Sequence, residues 1–230
     1  MQIEILAQPA NTLARLTFNA GEEITAEGGS MVAMSGGLNV ETSTHKRGQR
    51  GLWKATKRAF AGEGIFLNHY RAEREGANLY IAPVLSGDIM VQELTGNALI
   101  VQATSFLAHE SGVDLDMGWK GLKSMFSGEG LFWLKMEGHG KALINAFGAI
   151  YPVEVDGEYI VDTGHIVAFD DSLDFSLSKA GKSWMSSILG GEGIVCRFKG
   201  KGAVWCQSHS PSGFGHAIGQ LLEPIVQHQQ

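Results

Sequence analysis

Gly62-Glu63-Gly64 is the stretch on which the fold turns, because the same tripeptide returns as Gly128-Glu129-Gly130 and as Gly191-Glu192-Gly193, at a spacing of about 65 residues. Each copy follows a partly apolar segment and precedes a strand-like run: Ile65 to Tyr70, Leu131 to Met136, and Ile194 to Lys199. A period of that length marks an internal repeat, and three copies predict three structural units. A second landmark agrees with the first. The turn glycines Gly21, Gly96 and Gly157 are followed nine, nine and eight residues later by Ser30, Ser105 and His165, each opening a short run that ends at Met34, His109 or Phe169.

Outward from these landmarks, each unit reads as two hairpins joined by a lid. The first hairpins turn at Ala20-Gly21, Gly96-Asn97 and Asp156-Gly157, the last a dipeptide favoured in two-residue turns. The second turn at Glu75-Gly76, Gly138-His139-Gly140 and Gly200-Lys201-Gly202. Centring the final turn on Lys201 sets Cys196 directly across from Cys206. Alternation then puts Ile194, Cys196, Phe198, Val204 and Cys206 on one face, and Arg197, Lys199 and Trp205 on the other. Leu131 to Met136 is apolar on both faces, as in a strand covered from both sides. The lids, Gly51 to Phe60, Gly121 to Phe126 and Gly181 to Leu189, carry apolar residues at mixed three- and four-residue spacings and read as short amphipathic helices or packed loops. The units span 1–82, 83–148 and 149–208, packed as one body. A tail over 209–230 is expected to hold a short helix from Ala217 to Leu222.

Composition bounds the function. The chain has 230 residues, 44% hydrophobic and 18% charged, with 31 glycines against five prolines, which fits many short strands. A net charge of −6 disfavours nucleic acid, whose binding depends on neutralising phosphates. The N-terminus lacks a basic and then apolar leader, and no run is apolar for long enough to span a bilayer, so a cytoplasmic location is expected. Two cysteines cannot supply a disulfide framework and read as reduced core thiols.

Three features carry candidate chemistry. If Glu63, Glu129 and Glu192 converged on a threefold axis, their carboxylates would need a cation or a raised pKa. A glutamate between two glycines can instead bond backbone donors at a strand entry, and its presence in every unit favours that structural role; no metal and no cofactor is expected. Lys46, Arg47, Arg50, Lys54, Lys57 and Arg58 form a basic run with Trp53 and Phe60 interleaved. It reads as a solvated face or as a peripheral binder of anionic membrane through residues 46–58. Lid tryptophans Trp53, Trp119 and Trp184 are candidate contact points for self-association. Gly-x-Ser-x-Gly, His-Glu-x-x-His and Cys-x-x-Cys spacings do not occur. Leu67 stands where a dinucleotide motif needs its third glycine.

The three Gly-Glu-Gly copies with their lids, and the closing Gly200-Lys201-Gly202-Ala203-Val204-Trp205-Cys206-Gln207, resemble the altered-inheritance-of-mitochondria type family over residues 1 to 208. The resemblance implies an all-β fold of three β-sandwich repeats, double-stranded-β-helix-like, in a pseudo-threefold arrangement with short helical lids. Each repeat is similar to a subunit of the tryptophan RNA-binding attenuator protein. It implies no catalytic site, and no tryptophan pocket or array of RNA-contacting lysines is matched here. The expectation is a non-enzymatic binding or scaffold module that self-associates, as a trimer or another homo-oligomer. The competing expectation is a small-molecule or metal binder, or an enzyme, with its site between repeats.

Overall fold

The computed structural model describes residues 1–46, 64–116, 132–179 and 194–226, and these are mostly β-strand. In the first third, β1 (Gln2–Leu6), β2 (Leu13–Phe18), β3 (Glu23–Glu27), β4 (Met31–Met34) and β5 (Leu38–Lys46) precede β6 (Gly64–Ala72) and β7 (Ala77–Ile81). All pairings are antiparallel: β2 lies between β1 and β7, β4 lies on the far side of β7, and β6 lies between β3 and β5. The middle third holds β8 (Ile89–Gln102), a single 3-10 turn at 103–105, then β9 (Phe106–Glu110), β10 (Val113–Asp116) and β11 (Trp133–Asn145). β11 pairs along its whole length with β8 on one side, and with β9 and then β10 on the other. The last third holds β12 (Ile150–Asp162), a 3-10 turn at 163–165, β13 (Ile166–Asp170), β14 (Asp174–Lys179) and β15 (Ile194–Gln207). There β15 pairs with β12 on one side, and with β13 and β14 on the other. Helix α1 (Pro211–Val226) closes the described chain and is longer than the segment expected from Ala217 to Leu222.

None of the six expected hairpins forms. The strands on either side of each turn signal pair with other strands, not with each other. Gly96, Gly138, Gly140, Gly157 and Gly200 all have positive φ, yet β8, β11, β12 and β15 run on through them. Turn chemistry bends these strands instead of reversing them, because the neighbouring strand bends at the same level: Gly157 lies directly opposite Gly200. In the first third the bends are sharper and split the strand, at residues 19–22 and 73–76.

The cysteine pairing is corrected for the same reason. Cys196 and Cys206 lie on one strand, opposite Val161 and Tyr151. Both are buried and free, in one apolar cluster with Phe198 and Val204, while Trp205 packs on a different cluster, so the expected division of faces holds. A bend that keeps the pairing in step preserves which side chains point inward. Burial pushes the two thiols up to about 12 and about 11. At pH 8 the native thiols should react with an aromatic disulfide reagent at least roughly a hundredfold more slowly than in the denatured chain, since the thiolate is the nucleophile. Equal rates in the two states would contradict this burial.

Three cores follow the three thirds of the chain. The first gathers Leu16, Phe18, Ile24, Tyr70, Leu79 and Ile81; the second Leu99, Val101, Phe106, Leu134, Met136 and Ile144; the third Ile166, Phe169, Cys196, Phe198 and Val204. β11 lies between two of them: Leu134 and Met136 enter the second core, while Trp133 enters the third and meets Phe169 edge-on at 5.4 Å. That accounts for a strand apolar on both faces. Among the described residues, strand pairing crosses between the thirds at two places, β9 against β3 and β13 against β8.

Candidate functional site

The β3–β6–β5 sheet carries polar residues on its outer face, because alternation sends Ile24, Ala26, Tyr70 and Ala72 into the first core. His69 sits at the centre of this face, opposite Thr25 on one side and Glu41 on the other. Its Nδ1 is 2.9 Å from Thr25 Oγ1 and its Nε2 is 2.7 Å from Ser43 Oγ. One ring nitrogen donates and the other accepts, so the row Thr25–His69–Ser43 is held in either neutral tautomer. Glu23 and Arg71 form an exposed ion pair at 3.5 Å beside it. The row borders an open cavity of about 310 Å³ that Asn39 and Ser111 also line.

A serine bonded to a histidine has the outline of an activated nucleophile, but the third member here is a neutral threonine hydroxyl, which cannot stabilise an imidazolium as a carboxylate would. This arrangement suits hydrogen bonding to a polar surface or ligand better than acyl transfer.

At the end of β3, Glu27 lies opposite Leu67, a member of the second core. Burial raises its carboxyl to about 7, and among the described residues no ion pair or side-chain hydrogen bond reaches it. Sequence reading passed over His69 and Glu27 alike. The polar row draws on three strands distant in sequence, and its only local signal is the polar alternation Glu23, Thr25, Glu27. The burial of Glu27 depends on a neighbouring third of the chain.

Most residues singled out from the sequence lie outside the described ones: Trp53, Lys54, Lys57, Arg58, Gly62, Glu63, Trp119, Gly128, Glu129, Gly130, Trp184, Gly191, Glu192 and Gly193. Gly64 is described, and opens β6 opposite Lys46. The lids lie there too. Among the described residues, no group of three His, Cys, Asp or Glu side chains is placed to hold a metal ion, and no helix is long and apolar enough to cross a membrane.

Part of the exposed apolar surface lies on edge strands. All four residues of β4 are exposed, with Met31 at 45%, Val32 at 60% and Met34 at 43% of full accessibility. On β12, Tyr159 is 47% and Ile160 48% exposed. Helix α1 adds exposed Phe214, Ile218 and Leu221, with Phe214 edge-on to Phe147 at 5.3 Å.

Comparison with known proteins gives a consistent picture. The family described as mitochondrial biogenesis AIM24 matches residues 3–209. An uncharacterised protein of Streptococcus pyogenes serotype M6 is 28% identical over 217 residues, covering 91% of this chain and 86% of that protein. The crystal structure of a Streptococcus pyogenes protein superposes with a TM-score of 0.77 at 25% identity, covering 96% of this chain and 99% of that one.

Proposed function

The chain belongs to the mitochondrial biogenesis AIM24 family, and from that premise we propose that it is a non-enzymatic binding or scaffold module that self-associates. The observation that carries the reading is β4: a four-residue apolar strand, paired on one side only among the described residues, with every side chain exposed. Such an edge is a template for another strand, and proteins that remain single usually cover it or place charge on it.

The reading includes three copies of one module. In its support, β8, β9, β10 and β11 pair in the same order as β12, β13, β14 and β15. The first third follows the same order, if β2 with β3 and β6 with β7 are each taken as one broken strand. The second strands β4, β9 and β13 then correspond, and each enters its pairing through a one-residue register shift.

Size exclusion with light scattering is expected to give a mass that is a whole multiple of 24.7 kDa at tens of micromolar protein. A monomer under those conditions overturns the self-association reading.

A further inference from the structure

We propose that β4 of one copy pairs antiparallel with the second half of β12 in another copy, so that chains join head to tail. The proposal rests on the self-association reading and adds the surface, the partner strand and the register. It comes from the two places where, among the described residues, strand pairing crosses between thirds of the chain. In each, the second strand of a module, β9 or β13, is laid against the second half of a neighbouring module's first strand: Ala108 opposite Ala26 and His109 opposite Thr25, then Ala168 opposite Val101 and Phe169 opposite Ile100.

The same junction has two halves left over, one at each end of the chain. Ala33 holds the place of Ala108 and Ala168, since these residues follow the register shift opposite Tyr80, Leu143 and Trp205 respectively. Val161 holds the place of Val101, one residue before the end of its strand. The outer edges of β4 and of the second half of β12 pair with no strand among the described residues. Carrying the internal register across puts Ala33 opposite Val161 and Met34 opposite Ile160.

Exposure separates used from unused junctions. Leu107 and Val167 are completely buried, whereas Val32 in the same place is exposed; Phe106 and Ile166 are completely buried, whereas Met31 is exposed. Chemistry matches across each junction as well. Thr25 with His109 is polar against polar, and Ile100 with Phe169 is apolar against apolar. The leftover pair, Met34 with Ile160, is apolar against apolar. Because the two edges differ, the contact is heterologous, and copies joined by it close into a ring or grow as a filament.

The experiment mixes two whole-chain variants, Met34→Cys and Ile160→Cys, each carrying one half of the predicted pair. Residues directly opposite on antiparallel strands are close enough for a disulfide, and the native thiols are buried. Under oxidising conditions, the mixture is expected to give a disulfide-linked dimer on a non-reducing gel, and neither variant alone should do so. Val32→Lys, at a site already open to water, is expected to reduce the scattering mass to 24.7 kDa. An oligomer that survives Val32→Lys and does not cross-link in the mixture overturns the proposed junction and leaves self-association standing. A monomer throughout overturns both. If a single chain carrying both Met34→Cys and Ile160→Cys cross-links only within itself, the edges close on each other and the intermolecular junction is wrong.

Discussion

Phe169→Ala is expected to destabilise the fold by about 3–5 kcal/mol, the range for truncating a completely buried phenylalanine. Phe169 is the hub of the third core: Trp133 lies edge-on at 5.4 Å, and Phe175 and Phe198 each lie at 5.1 Å. Its removal opens a cavity and deletes these aromatic contacts. Its strand, β13, also makes the crossing to β8, with Phe169 opposite Ile100. The loss should therefore be felt in the middle third as well, and thermal unfolding should fall by roughly 10 °C for a chain of this size. A second variant, Phe175→Ala, removes a half-buried ring from the same cluster and should cost clearly less. The proposed hub is refuted if the two changes cost the same, or if Phe169→Ala shifts the midpoint by less than about 2 °C.

The second large effect depends on pH. Burial raises the Glu27 carboxyl from its ordinary 4.5 to about 7. An acid whose pKa is higher in the folded state holds its proton more tightly there, so folding is helped at low pH. That help fades as pH climbs from about 4.5 through about 7 and is absent above it. The gap corresponds to roughly 3 kcal/mol. Glu27→Gln keeps the shape and removes the charge, so the variant should match the wild type near pH 4. At pH 8 it should be more stable by up to roughly 3 kcal/mol, seen as a midpoint higher by several degrees. The middle third offers a natural precedent. Under the correspondence that matches β3 to the second half of β8, half-buried Glu27 takes the place of Gln102, an uncharged residue of nearly the same shape that is buried. Parallel melting curves for wild type and variant from pH 4 to pH 8 would refute the assignment.

The sequence was read correctly where the signal was local or periodic. The runs that recur after Gly21, Gly96 and Gly157 hold corresponding strands, β4, β9 and β13, and the inward face of β15 is the one that alternation assigns. The two-sided apolar run in β11 is explained by cores on both of its faces. Hairpins were misread because a glycine-rich turn signal states only that the backbone can leave the extended region. Whether the chain then bends or reverses depends on what lies alongside, and Gly157 bends together with Gly200, its partner from a distant segment.

By itself, then, the sequence determined the all-β class and, in the last strand, the side chains that face inward, since each follows from residue type and a period of two. Only the tertiary structure decided which strands pair, that His69 lies between Thr25 and Ser43, that Glu27 is half-buried, and that β4 is left bare while β9 and β13 are covered. These depend on contacts between residues tens of positions apart. Such contacts are set by how separately encoded strands dock, and no local pattern in the chain carries that information.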